Sequence, residues 1–132
     1  MENREWLVGA VLLGASTLAS AFDGAAPLIC AATTSAVCEE NADCVQGPPT
    51  AVNLPLFWRL NFAEKMVTSA HDAGHKRTSS IGTTLADGGR LVVQGIEKGF
   101  GWTMSIDQTT GTMVMSGGRE AGYVVFGGCT TL

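Results

Sequence analysis

Four cysteines, Cys30, Cys38, Cys44 and Cys129, constrain the fold of this chain more than any other feature. The outer two bracket nearly all of the sequence after residue 29, so a bridge between them ties the start of a fold to its end. Four cysteines allow three pairings, and sequence alone does not choose among them. Spacing favours one. Cys38 and Cys44 enclose a short acidic loop, Glu39-Glu40-Asn41-Ala42-Asp43, whose ends meet readily, and Cys30 is then left to join Cys129. In the chain-entropy account the short bridge contributes about 2.4 kcal/mol and the long one about 4.7. A thiolate zinc site would want two closely spaced pairs or a nearby histidine, and neither accompanies these positions. Paired cysteines imply an oxidising compartment.

Residues 1–21 have the parts of a helical export signal. Arg4 and the amino terminus supply a positive start, diluted by Glu2 and Glu5. Leu7 to Leu18 is an uncharged apolar run, and Ala19-Ser20-Ala21 offers small residues to a signal peptidase, so cleavage is expected before Phe22. As a helix the uncharged stretch from Trp6 to Ala21 rises about 24 Å, short of the roughly 30 Å hydrocarbon core. Lipidation at Cys30 would want a small residue before it, where Ile29 stands. The expected product is a periplasmic or secreted protein with no stable membrane insertion.

Removing 21 of the 132 residues leaves 111, one domain of ordinary size spanning 22–132. Losing Arg4, Glu2 and Glu5 leaves seven basic and ten acidic residues, a net charge of −3. The seven cations are scattered between Arg59 and Arg119, with no stripe to follow a phosphate backbone, so nucleic acid is not an expected partner.

From Leu56 onward the chain alternates strand and turn. Leu56, Trp58, Leu60 and Phe62 fall on one face of a first strand, and Lys65 to Ser69 returns after an Ala63-Glu64 turn. Asn61 to Ala70 is a helix candidate that Val67, Thr68 and Ser69 argue against. Thr78 to Leu85 ends in Asp87-Gly88-Gly89, whose residues tolerate the positive φ of a tight turn. Arg90 to Glu97 follows with Leu91 and Val93 inward; Gly95 inside it marks a bulge or a place where another backbone comes close. A turn at 98–101 leads to Trp102–Asp107, a turn ending in a left-handed Gly111 leads to Thr112–Ser116, and Gly122–Thr130 is the last strand. Leu28–Val37 alternates like a strand, although its alanines also permit a helix. Gln46–Pro55, with Pro48, Pro49 and Pro55, reads as an extended connector. Strands recurring every 8–12 residues with turn chemistry between them predict a small all-β antiparallel meander, closed into a barrel or folded as a sandwich.

The cadence Leu91-Val92-Val93-Gln94-Gly95, Trp102, Ile106-Asp107, Thr110-Gly111, Met113 and Gly122-Tyr123-Val124-Val125-Phe126-Gly127-Gly128-Cys129-Thr130 resembles a group of small exported bacterial proteins of unassigned function. They share a Cys-rich start and a VFG-x-CT ending. The resemblance implies export and a single small domain, and it carries no catalytic residue across. Small periplasmic lysozyme inhibitors are similar in architecture only, since their inhibitory loop motif has no counterpart here.

His71 and His75, the only histidines, stand four apart, but Gly74 and polar neighbours place them in a loop, and a zinc helix motif would also need an adjacent glutamate and a third ligand. Glu39, Glu40 and Asp43 lack the calcium-loop spacing and read as an exposed tip. No nucleophile elbow or phosphate-binding glycine loop occurs, and oxidised cysteines offer no thiolate. Trp102, Met104, Met113 and Met115 are the candidate ligand-binding residues, because methionines adapt to irregular apolar partners; filling the core is their competing role. The sequence thus predicts a non-catalytic binding or inhibitor module without a cofactor, contacting an unknown protein. The alternatives are a carrier of a small apolar ligand in a Met/Trp-lined pocket, and a weak metal-dependent hydrolase centred on His71 and His75.

Overall fold

The computed structural model describes Gly14 and residues 21–70 and 76–132. The expected export signal, apart from Gly14 and Ala21, lies outside the described residues, as do His71 and His75. The described chain is all-β. Its strands are β1 (Leu28–Cys38), β2 (Val45–Gly47), β3 (Phe57–Asn61), β4 (Met66–Ala70), β5 (Thr78–Asp87), β6 (Arg90–Glu97), β7 (Phe100–Asp107), β8 (Thr112–Gly118) and β9 (Gly122–Thr131). Consecutive strands from β3 to β9 pair antiparallel, and β1 pairs with both β3 and β9. Eight strands therefore close into a barrel, and β2 lies on β1 beyond the start of β3.

The closing seam is the ladder between β1 and β9, which runs from Leu28 opposite Thr131 to Cys38 opposite Gly122. Cys30 and Cys129 face one another in this ladder with Cα atoms 4.0 Å apart, and their disulfide locks the seam covalently. Cys38 and Cys44 form the second bridge, across the hairpin loop between β1 and β2. No cysteine is free, so the chain matures where thiols are oxidised.

The connector expected over 46–55 is more structured than an extended strand of proline-rich chain. Val45–Gly47 joins the sheet, and Pro49–Val52 makes a turn of 3-10 helix that begins with proline, where a missing N–H costs nothing. It ends at Asn53 in the left-handed region (φ 58°), with the Leu54 amide on the Pro49 carbonyl. Leu56, expected to face inward with Trp58, lies just before β3 and is 38% exposed.

Alternation puts one apolar set inside. Leu28, Leu60, Leu91, Val93, Met104, Ile106, Met113 and Val125 are each under 2% exposed. Burying a side chain of this size contributes about 1.5–3 kcal/mol, so this layer dominates the favourable side of folding. An eight-stranded barrel has an interior just wide enough for side chains to fill. One end is closed by the segment before β1: the Phe22 ring is buried there, and its carbonyl accepts a bond from Gln108 Nε2 at 3.0 Å. Gly111 (φ +76°) passes beneath that ring, and a Cβ there would lie 2.7 Å from it. The other end carries the β1–β2, β6–β7 and β8–β9 turns, with the end of β4 and the start of β5 beside them.

Candidate functional site

At that end the core stops short of the rim, and described residues line a hollow of about 70 Å³. Trp58, Trp102, Met104 and Met115 form its inner wall, with Leu54 and Val67 at the side. Each arrives by strand alternation. Trp58 and Leu60 share a face of β3, Trp102, Met104 and Ile106 share a face of β7, and Met115 sits opposite Met104 on β8.

Trp102 is held from two sides. Its Nε1–H donates to Ser79 Oγ at 2.8 Å, which satisfies the indole in a half-buried setting. Its ring lies over Gly95 so closely that a Cβ there would be 2.4 Å from Cζ2. The backbone that comes close at Gly95 is the Ser80 carbonyl, the Trp102 ring is a side-chain neighbour that was not foreseen, and a break in register falls on β5 between Ile81 and Thr83.

The rim is polar. Arg77 Nη2 meets Glu97 Oε2 at 3.1 Å, Arg77 Nη1 donates to the Asn53 carbonyl at 2.9 Å, and its backbone N–H donates to Ser69 Oγ at 2.9 Å. These bonds tie the start of β5 to β4, to the end of β6 and to the turn after the 3-10 helix. The pair stays partly wet, with side chains 34% and 21% exposed, so its contribution to stability is at most about 1 kcal/mol. A cation and an anion in contact thus stand beside an apolar hollow.

Of the residues singled out from sequence, Trp102, Met104 and Met115 come together at this hollow. Met113 does not: it is fully buried deeper in the barrel, against Gly127. Trp58, Val67, Arg77, Ser79 and Glu97 belong to the site and were not foreseen there. Trp58 had a signal, its alternation with Leu60. Arg77 and Glu97 had none, being 20 residues apart with a full strand between them.

A second hollow, about 360 Å³, lies on the outer wall where Ala31, Gly127 and Gly128 provide little or no side chain beside Phe57. It is the larger of the two, but it lies on the outer face and is lined by neither tryptophan nor methionine. Glu39, Glu40 and Asp43 are all exposed, and no three His, Cys, Asp or Glu side chains gather as metal ligands among the described residues. No described helix is long and apolar enough to cross a membrane.

Fold and site together define a class: a small antiparallel β-barrel with a disulfide across its closing seam, one plugged end and an apolar hollow at the other. No family model, curated protein or solved structure matches the chain.

Proposed function

We propose that the protein is exported to the periplasm or beyond, with residues 1–21 as a cleaved signal, and works there as a non-catalytic binding or inhibitor module whose contact surface is the barrel mouth. One observation carries this reading. The described core residues are packed against one another, and at the mouth the two tryptophans of the barrel wall a small apolar hollow. Binding surfaces favour a rigid aromatic anchor in a small pocket with a polar rim. Polar outward residues such as Arg59, Gln94, Thr103 and Ser105 around an apolar inside also suit a barrel that folds in water, the reverse of a membrane barrel.

The hollow is small beside the roughly 300–1,000 Å³ of sites that enclose a whole ligand. A carrier reading therefore keeps only a modest form, in which the end of a ligand enters; native mass spectrometry of fresh protein would reveal retained cargo. The metal-hydrolase alternative rests on His71 and His75, outside the described residues.

The test is a titration of the exported protein with N-acetyl-leucine amide, a neutral stand-in for a partner's side chain, read by nuclear magnetic resonance. Beyond residue 21, Trp58 and Trp102 are the only tryptophans, so two indole N–H signals report on the mouth. Saturable shifts of both are expected, at tens of millimolar, since one aliphatic side chain contributes only about 2–3 kcal/mol. Val67→Phe, which fills the hollow, should abolish them. Shifts absent from the native protein would refute the mouth as the site. Intact mass of the exported chain should place its first residue at Phe22.

A further inference from the structure

We infer that the mouth recognises a small zwitterion bearing a short aliphatic side chain, that is, a free α-amino acid of the leucine or methionine kind. This rests on the mouth being the binding surface and names what enters it.

Volume sets the apolar half of the ligand. A hollow of about 70 Å³ is less than half of the roughly 150 Å³ that accommodates benzene in an engineered apolar cavity. It admits a branched or thioether chain of three or four heavy atoms and excludes an aromatic ring. Its walls suit that group, since Met104 and Met115 are unbranched and adaptable while Trp58 and Trp102 present rigid faces.

Charge sets the polar half. Arg77 and Glu97 both line the hollow and stand 3.1 Å apart, so a positive and a negative group face the same entering molecule. A ligand with one charge meets a favourable and an unfavourable partner at once, and a neutral ligand gains from neither. A carboxylate and an ammonium on a single carbon match both, with the carboxylate toward Arg77 and the ammonium toward Glu97. The guanidinium has donors to spare, because its five N–H groups make two hydrogen bonds among the described residues. It is also preset, held by Asn53 on one side and Glu97 on the other, so little ordering is needed on binding.

The experiment follows the Trp58 and Trp102 indole signals of the exported protein during titration with leucine, N-acetyl-leucine amide, isovalerate, isopentylamine and phenylalanine. Leucine is expected to bind at least tenfold more tightly than the neutral amide and than either singly charged analogue, and phenylalanine at least tenfold more weakly than leucine. Glu97→Gln should weaken leucine at least tenfold more than it weakens the neutral amide, with an otherwise preserved spectrum showing that the barrel is intact. Equal binding of leucine and the neutral amide would overturn the zwitterion and leave the mouth as the site. Isovalerate or isopentylamine matching leucine would overturn it too, as would tight phenylalanine binding. If none of the five moves the indole signals, the zwitterion and the mouth both fall.

Discussion

Replacing Gly95 by alanine should reverse the usual sign of such a change. In a strand, alanine for glycine ordinarily stabilises by about 0.4–1 kcal/mol, because glycine loses more freedom on folding. At Gly95 the added methyl carbon would stand 2.3 Å from the Ser80 carbonyl oxygen and 2.4 and 2.7 Å from two indole carbons of Trp102, where ordinary contact begins at 3.4 Å. Something must therefore move by about 1 Å. The carbonyl belongs to backbone paired with β6, and the indole is fixed by its bond to Ser79, so neither yields freely. Overpacking of this kind costs about 1–3 kcal/mol, and losing the Ser79 bond adds about 1 kcal/mol. The expected loss is about 2–4 kcal/mol, a fall of about 1–2 M in the urea midpoint, with a shift in tryptophan fluorescence. Gly101→Ala, on the neighbouring strand with no atom within 4 Å, is the control and should be neutral or slightly stabilising. If Gly95→Ala is as stable as the control and its fluorescence is unchanged, the packing of Trp102 over Gly95 is wrong, and the geometry of the mouth with it.

The two disulfides should differ in strength and in access. Removing Cys30 and Cys129 together is expected to cost about 4–5 kcal/mol in urea unfolding and removing Cys38 and Cys44 about 2, from loops of 99 and 6 residues. Mild reductant followed by alkylation should label Cys38 and Cys44 first, since Cys44 is exposed whereas Cys30 is fully buried. Asp107 should titrate below the usual aspartate range, because its carboxylate accepts the backbone N–H groups of Thr110 at 2.8 Å and Thr109 at 2.9 Å. A lowered folded value means its stabilisation is complete above the ordinary aspartate range and is lost as pH falls through that lowered value. Carbon-detected titration of the carboxyl should show this, and Asp107→Asn should flatten the acid limb of the stability curve.

The strands were legible because two local signals agree along most of the chain. Side chains alternate at period two, and residues that accept positive φ punctuate them: Gly88 and Gly89 after Asp87, and Gly111 after Thr110. Barrel against sandwich was not legible, since closure depends on β1 meeting both β3 and β9, contacts between distant residues that no local pattern encodes. The cysteines came nearest to encoding it, because a bridge from 30 to 129 places the first and last strands together. Alternation also explains the split among the candidate site residues. It assigns a face and not a depth, so Met113 and Met115 look equivalent in sequence, while the register of β8 puts Met115 at the hollow and Met113 well below it. Leu56 shows the same limit at a strand end, where one residue outside the ladder is freed from the face its neighbours keep. Arg77 and Glu97 were invisible for a different reason: their meeting is decided by how far β5 slides along β6.

The seam also gives the molecule a direction. Leu28 lies opposite Thr131, and the Leu132 amide reaches the Pro27 carbonyl at 3.2 Å, so the chain enters β1 and leaves β9 side by side at the plugged base. The hollow lies at the far end. A tag, a fusion partner or a solid support attached after Leu132 would therefore hold the protein like a cup on its stem, with Trp58 and Trp102 facing outward. Immobilisation through the C-terminus should leave whatever enters the mouth unobstructed.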